Sequence, residues 1–583
     1  MSMSYKKNFH NKRRFILLFL TIILCSFFVV NIHWLWVYRH GGPLDIDEAG
    51  YLGISLTDYF GFLRHGLTGF FWAVEAPGIQ APLTTALTGL ALLITGPHIF
   101  TGFVVMTLFG MATISATYFL GENVGGSIVG LVAALLVAAS PPIVMYSRSF
   151  IFALPLTFNT IMALLSLIRS NRFTNTFWSL IFGIFCGFMP LSRTMAIAFL
   201  PGLIFGAAVY LLADKSALKR KIFNFIFAII VGAIIALIWF WPNGRYVFNY
   251  LMSYGYGNHA SEYGRYKSIL GVLDWIRILK SFSSSVYLFD FTILGLGGAA
   301  LFVIIFRFYY KSGFIPAARM IFLSRITPLV IFVMFAVAAL ASSQNKGNGF
   351  TVPIVPVAMV IAIWSLLRLC NHIPYRVGIF IFIAVAVMTG ALPALNLKSS
   401  WAISRSMWLP VLGKTPITDG RGYIQIYESG GGFASTDPNQ PIPIAEGKKW
   451  MIFNSHVTEK LLELGAEHTV TAFGFRHRIF NINTVRLQEL LTIGRATDLT
   501  MVDPITTGDS LKGDVKWLKF GAAAHACLLL TSDAQTGEIA PVVSNQRMIQ
   551  AANQTGFKST SNMQMPNGEF LTIWKRQLHG HHC

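Results

Sequence analysis

Long apolar runs recur from residue 15 to residue 397, and they constrain this chain more than anything else in it. They lie at roughly 15–37, 99–120, 127–146, 154–168, 174–191, 196–213, 222–241, 286–306, 326–342, 351–367 and 377–396. A helix crosses the hydrocarbon core of a bilayer in about 20 residues, and each run is near that length. Overall 54% of residues are hydrophobic and 12% are charged, against about 25% charged in soluble domains. The first 397 residues therefore read as an α-helical multi-pass membrane region. Residues 16–30 do not read as a cleavable signal, because the run continues to Val37 and no A-x-A-like site follows it.

Charge sets the expected topology. Of the 45 Lys+Arg, 27 fall before residue 398, against only 10 of the 25 Asp+Glu. This excess suits cytoplasmic loops and anionic lipid phosphates, and no nucleic-acid motif accompanies it. A further apolar stretch, 81–96, begins at Pro82. If it does not cross, then Arg169/Arg172, Lys215/Lys219/Arg220/Lys221, Arg307/Lys311/Arg319/Arg325 and Arg368/Arg376 all fall on the side of the N-terminal Lys6, Lys7, Lys12, Arg13 and Arg14. If it crosses, all twelve move to the other side. The positive-inside rule thus favours about 11 spans, a cytoplasmic N-terminus and an embedded or interfacial helix at 81–96. The outward loops long enough to build a site are then 38–98 and 242–285.

Five of the ten acids of the membrane region, Asp45, Asp47, Glu48, Asp58 and Glu75, fall between 45 and 75, just after the first run. Carboxylates beside a bilayer are costly, so their clustering marks a candidate site. An acidic, solvated loop is the alternative. Gly41-Gly42-Pro43 precedes Asp45, which suits a turn residue. Residues 48–63 are apolar enough for a helix on the membrane surface. A carboxylate there could take a proton from an acceptor hydroxyl, and outward Arg or Lys could neutralise a phosphate leaving group.

Residues 398–583 are more polar and richer in Gly, Asp and Pro. Apolar strands at Trp450–Phe453 and Ala526–Leu530 alternate with helical stretches around 456–466, 485–494 and 544–556. This predicts a soluble extracytoplasmic α/β domain. Cysteine offers no framework: five residues, an odd number, with no C-x-x-C. Tyr246, Tyr250, Tyr254, Tyr256, Tyr263 and Tyr266 in 242–285 suit sugar stacking or an interfacial belt. The His579–Cys583 tail reads as a terminus rather than a metal site.

The order of these features resembles the GT-C polytopic glycosyltransferases, in particular bacterial relatives of protein O-mannosyltransferases and lipid A aminoarabinose transferases. The matching residues are Asp47-Glu48 with Tyr51 after the first span, Pro82-Leu83 opening a helix that ends at Gly96, and Ser147-Arg148. Arg193, the basic Lys346 loop leading into Pro353 and Pro356, and Asn567-Gly568-Glu569-Phe570 complete the order. The resemblance implies a GT-C-like membrane domain over 1–397 with its catalytic loop at 38–98, followed by the domain 398–583. It implies inverting transfer of a sugar from a polyprenyl-phosphate donor to a lipid, glycan or protein acceptor at the outer face of the cytoplasmic (inner) membrane. Asp47 would be the general base and Glu48 would orient the site or the acceptor. Tyr51, Glu75, Arg148, Arg193 and Lys346 would contact substrate. No acid follows Ser147-Arg148 where many relatives carry one. That leaves a divalent-metal cofactor open and makes Glu75 the substitute candidate. A polytopic transporter or lipid flippase is the rival class, although it would place ionisable groups near mid-membrane.

Overall fold

The computed structural model describes residues 3–41, 44–76, 78–257, 260, 288–343, 349–369, parts of 377–387, 405–409, 413–418, 444–475, 477, 479–495, 500–502, 510–532 and 545–577. The chain forms two compact units. One comprises Met1–Trp34, Glu75–Thr84 and Phe103–Gln425, and the other comprises Leu35–Val74, Thr85–Gly102 and Ile426–Cys583.

In chain order the helices are α1 (Met3–Tyr38), α2 (Ile46–Glu75), α3 (Pro82–Thr95), α4 (Phe100–Gly125), α5 (Ser127–Ala139), α6 (Pro141–Ser147), α7 (Ala153–Arg169), α8 (Thr176–Ser192), α9 (Leu200–Leu212) and α10 (Leu218–Gly255). Then follow α11 (Leu288–Ser312), α12 (Phe314–Leu323), α13 (Thr327–Ser342) and α14 (Ile354–Leu369), and a hairpin of β1 (Arg405–Leu409) and β2 (Gly413–Thr418). Among the described residues five helical stretches are long and apolar enough to cross a membrane: Arg14–Tyr38, Phe100–Gly125, Thr194–Leu212, Leu218–Gly255 and Leu288–Ser312. The α5–α6 pair, bent by 61°, makes a sixth if it is one span. Pro141 and Pro142 open α6 at that bend, where a ring in place of N–H interrupts the helical ladder. The apolar run 377–396 lies largely outside the described residues. α3 has 14 residues. At 1.5 Å per residue that is about 21 Å, shorter than the roughly 30 Å hydrocarbon core.

One expectation is corrected here. The stretch 242–255 is not loop: α10 runs through Pro242 to Gly255. The rest of 242–285 lies mostly outside the described residues.

Helices α8 and α10 meet along small residues. A Cβ on Gly183 would lie 2.2 Å from the Ala228 carbonyl oxygen, and one on Gly187 would lie 2.7 Å from that of Gly232. Gly183/Gly187 and Ala228/Gly232 each have the small-xxx-small spacing that brings membrane helices to backbone contact. Gly183→Val is therefore expected to prise the pair apart, costing at least about 1–3 kcal/mol through overpacking. Size-exclusion chromatography in detergent would show it as loss of the monodisperse peak.

Basic turns gather at one end of this first unit. Asp214, between α9 and α10, pairs with Lys221 at 2.7 Å and with Arg172, between α7 and α8, at 3.7 Å. Arg172 also donates to the Leu323 carbonyl at 2.8 Å, and Arg325 to that of Asn123 at 2.8 Å. Three connections that charge assigns to one side, at Arg172, Lys221 and Arg325, are thus tied to a neighbouring turn, and the last of them is tied to the end of α4 at Asn123.

The second unit contains a five-stranded mixed sheet in the order β4-β3-β5-β7-β6. Its strands are β3 (Val470–Phe473), β4 (Thr500–Val502), β5 (Ala526–Ser532), β6 (Phe557–Gln564) and β7 (Phe570–Arg576). β3 lies parallel to β4 and β5, while β7 runs antiparallel to β5 and β6. The helices are α15 (Ile444–Glu463), α16 (Ile482–Ile493), α17 (Leu511–Phe520) and α18 (Asn545–Gln554). β5 is buried at every position, as a central strand covered on both faces must be. Asn567–Glu569 form the turn of the β6–β7 hairpin, with Gly568 at φ +88°. Trp450–Phe453 is helix, not strand, and belongs to α15. Cys25 and Cys186 are free thiols, and Cys527 on β5 is disulfide-bonded.

Candidate active site

The first turn of α2 shows why the acids cluster. The Asp45 carboxylate accepts the Asp47 amide at 3.0 Å, and the Asp45 amide donates to Glu48 Oε2 at 3.2 Å. The Asp45 carbonyl takes the Ala49 amide at 2.9 Å, which makes Asp45 the N-cap. This is a reciprocal capping box: two amides that the helix cannot bond internally are satisfied by the two side chains. Arg39 closes it with an ion pair to Glu48. Asp45, Glu48 and Arg39 are all buried, so the solvated-loop reading fails for these acids.

Asp47 alternates with this fixed pair and is only half-buried, as is Tyr51 one turn on. The structure thus sets Asp47, Glu48 and Tyr51 within the first two turns of α2, with Glu48 buried and Asp47 and Tyr51 half-buried. Glu48 is committed to Arg39 and the cap, while Asp47 keeps partial access to solvent.

Further along, α2 breaks at His65–Gly66, where Gly66 takes φ +61°, a conformation that glycine tolerates best. The chain doubles back so closely that a Cβ on Gly69 would lie 2.2 Å from the Gly61 carbonyl oxygen. Before the break, Asp58 is fully buried where α3 packs on α2, and a Cβ on Gly89 would lie 2.9 Å from that of Asp58. Burial pushes its carboxyl up to about 8, against a weaker downward pull from the Thr85 hydroxyl.

The sign of the pH effect follows. Folding raises the proton affinity of Asp58 from the ordinary 3.8, so its contribution is fully present below about pH 4 and is lost as pH rises to about 8. Asp58→Asn is expected to remove that decline, leaving the variant more stable than wild type at pH 8–9. Melting midpoints compared from pH 5 to pH 9 would test this, and a pH-independent difference would contradict it.

The basic candidates lie in the first unit. Arg148, at the C-cap of α6, is fully buried. Its Nε donates to Asn31 Oδ1 at 2.8 Å, and its guanidinium lies 4.6 Å from the Trp34 ring centroid. Arg193 caps α8 in extended conformation, half-buried, with its guanidinium 4.6 Å from the Phe350 ring centroid. Gly349, at φ +77°, sits where a Cβ would meet the Tyr146 ring at 2.8 Å, so the 349–350 turn packs on the end of α6. Glu75 is exposed at the last residue of α2. Lys346 lies outside the described residues. Among the described residues no group of three or more His, Cys, Asp or Glu side chains is placed to hold a metal ion.

Sequence reading missed Arg39, Asp58, Asn31 and Trp34 as partners in these arrangements. The D-x-x-E spacing of Asp45 and Glu48 was a usable signal for the cap. Nothing in the local sequence points to Arg39 as its third member.

Residues 79–245 match the dolichyl-phosphate-mannose-protein mannosyltransferase family. Among solved structures, ArnT from Cupriavidus metallidurans bound to undecaprenyl phosphate aligns over 96% of this chain and 98% of its own, at 14% identity and a TM-score of 0.50. Arabinofuranosyltransferase AftD from Mycobacteria aligns over 96% of this chain and 40% of its own, at 12% identity and a TM-score of 0.54. No curated protein matches the sequence. Over most of its length the chain shares its fold with these membrane glycosyltransferases, and residues 79–245 are similar to the protein mannosyltransferase family. These comparisons favour the glycosyltransferase reading over a transporter or flippase.

Proposed function

We propose that this protein transfers a sugar from a polyprenyl-phosphate donor to an acceptor hydroxyl at the outer face of the cytoplasmic membrane, with inversion. The observation that carries this is the half-buried Asp47, presented by a capped and ion-paired turn directly after the first apolar helix of a GT-C fold. Asp47 takes the acceptor proton while the acceptor oxygen bonds to the anomeric carbon. The bond from that carbon to the phosphate oxygen breaks, and its electron pair leaves with the polyprenyl phosphate. Arg193 and Lys346 neutralise the departing phosphate, and Arg148 does so if its contacts with Asn31 and Trp34 open. Glu48 orients Asp47 through the cap. Tyr51 lines the acceptor side, and Glu75, exposed at the far end of α2, is the weakest of the assigned contacts.

Undecaprenyl phosphate bound to ArnT supports a lipid-phosphate donor here. The tied basic turns support one common cytoplasmic side, with the N-terminus on it. The disulfide at Cys527 suits an oxidising compartment for the C-terminal domain. A domain boundary near 397 remains part of this proposal.

The test is transfer of label from polyprenyl-phosphate sugars by the purified protein in nanodiscs, with the anomeric configuration of the product read by NMR. An inverted product supports the reading. A retained configuration, or flux of labelled lipid across proteoliposomes without transfer, overturns it.

A further inference from the structure

The turn that carries Asp47 is gripped by a residue 437 positions away. Asn483 Nδ2 donates to the Ile46 carbonyl at 2.9 Å, immediately before Asp47. The same side chain fills the space that a Cβ on Gly50 would need, 2.9 Å from Asn483 Nδ2. One turn further, Leu490 lies 3.9 Å from the Cβ position of Gly53. Asn483 and Leu490 are seven residues apart on α16, and Gly50 and Gly53 are three apart on α2, so both pairs lie on facing stripes of their helices. Two helices therefore run against each other with Asn483 set at the start of α2.

Asn483 is itself held firmly. Asn481 caps α16, accepting from the Asn483 amide at 3.0 Å and the Thr484 amide at 3.2 Å. The Asn481 amide donates to Thr484 Oγ1 at 3.0 Å, which completes a capping box. Asn454 on α15 donates to the Thr484 carbonyl at 3.0 Å and ties that end of α16 to its neighbour. The amide that reaches Ile46 thus projects from a backbone fixed on three sides.

We propose that Asn483 is a positioning residue for Asp47, and that the C-terminal domain acts in catalysis by setting this turn. The inference rests on the reading of Asp47 as general base. An Ile46 carbonyl inside the first turn already accepts within its helix. A second donor from a separate rigid helix fixes the rotation of the turn, and with it the direction in which Asp47 points. Small misplacements of a reacting group cost rate out of proportion to their effect on stability.

The test uses the full chain in nanodiscs and four variants. Asn483→Ala removes the donor and is expected to lower kcat roughly 10- to 100-fold, with donor KM within about 2-fold of wild type and the melting midpoint little changed. Asn483→Asp replaces the donor with a negative charge near Asp47, and should also shift the acidic limb of the kcat profile to higher pH, which Asn483→Ala should not do. Leu490→Ala trims the same helix contact without touching the hydrogen bond, so it should lower the melting midpoint and leave kcat per folded enzyme intact. Asp47→Asn is measured beside them. If Asp47→Asn is inactive and both Asn483 variants keep wild-type kcat, the positioning role fails and the base assignment stands. Equal loss of kcat in Leu490→Ala and Asn483→Ala also overturns it, because the contact is then structural only. If Asp47→Asn retains wild-type kcat, the base assignment fails and the positioning role falls with it.

Discussion

Replacing Asp47 with Asn is expected to lower sugar transfer by about 10²–10⁴-fold while leaving the protein folded and the donor bound. The substitution keeps the shape of the side chain and removes its capacity to accept a proton. Asp47 is half-buried, and the structure does not use its carboxylate as the cap of α2: Asp45 and Glu48 do that. Stability should therefore change little, and the loss should appear in kcat rather than in donor KM. The measurement is steady-state transfer at matched amounts of folded enzyme. Retention of more than about a tenth of wild-type kcat would move the base elsewhere.

Arg39→Ala should give the largest loss of stability. Glu48 is 0% exposed at its side chain and Arg39 is 3% exposed, so deleting the guanidinium strands a buried carboxylate. Breaking a buried pair from one side costs about 3–5 kcal/mol, chiefly because the remaining charge is uncompensated. The double variant Arg39→Ala/Glu48→Gln removes that charge and should recover part of the loss. Thermal midpoints of the wild type, the two single variants and the double variant form a cycle that reads the coupling directly. Additive effects would show that the pair does not hold the turn.

Much of the helical region was legible because apolar length is a strong signal. Its errors came where length and local sequence disagree. Pro242 reads as the end of a span, yet α10 continues through it to Gly255. Prolines are tolerated in membrane helices where neighbouring groups satisfy the freed carbonyl. Trp450–Phe453 reads as a strand because a four-residue apolar run fits either element. A wider window would have decided it: Trp450, Phe453, Val457 and Leu461 are all buried and follow helical spacing. Within the site, position alone picked out Asp47 and Glu48. It could not separate their roles, because what distinguishes them is Arg39, a partner nine residues back across a glycine turn. Asp58 was seen as one more acid of the cluster; its burial follows from α3 packing over it at Gly89, which only the fold supplies. Asn483 was beyond reach for a simpler reason: its partner is 437 residues upstream.

That separation has a consequence in time. Ribosomes add about 5–20 residues per second, so Ile46 is made roughly 20–90 s before Asn483 exists to meet it. Throughout that interval the first apolar helices exist while the turn bearing Asp47 lacks the Asn483 contact. If Asn483 sets the turn as proposed, a nascent or truncated chain would hold its membrane helices with Asp47 unset, and full activity would begin only when α16 emerges and docks. Completion of synthesis would itself be the event that arms the protein.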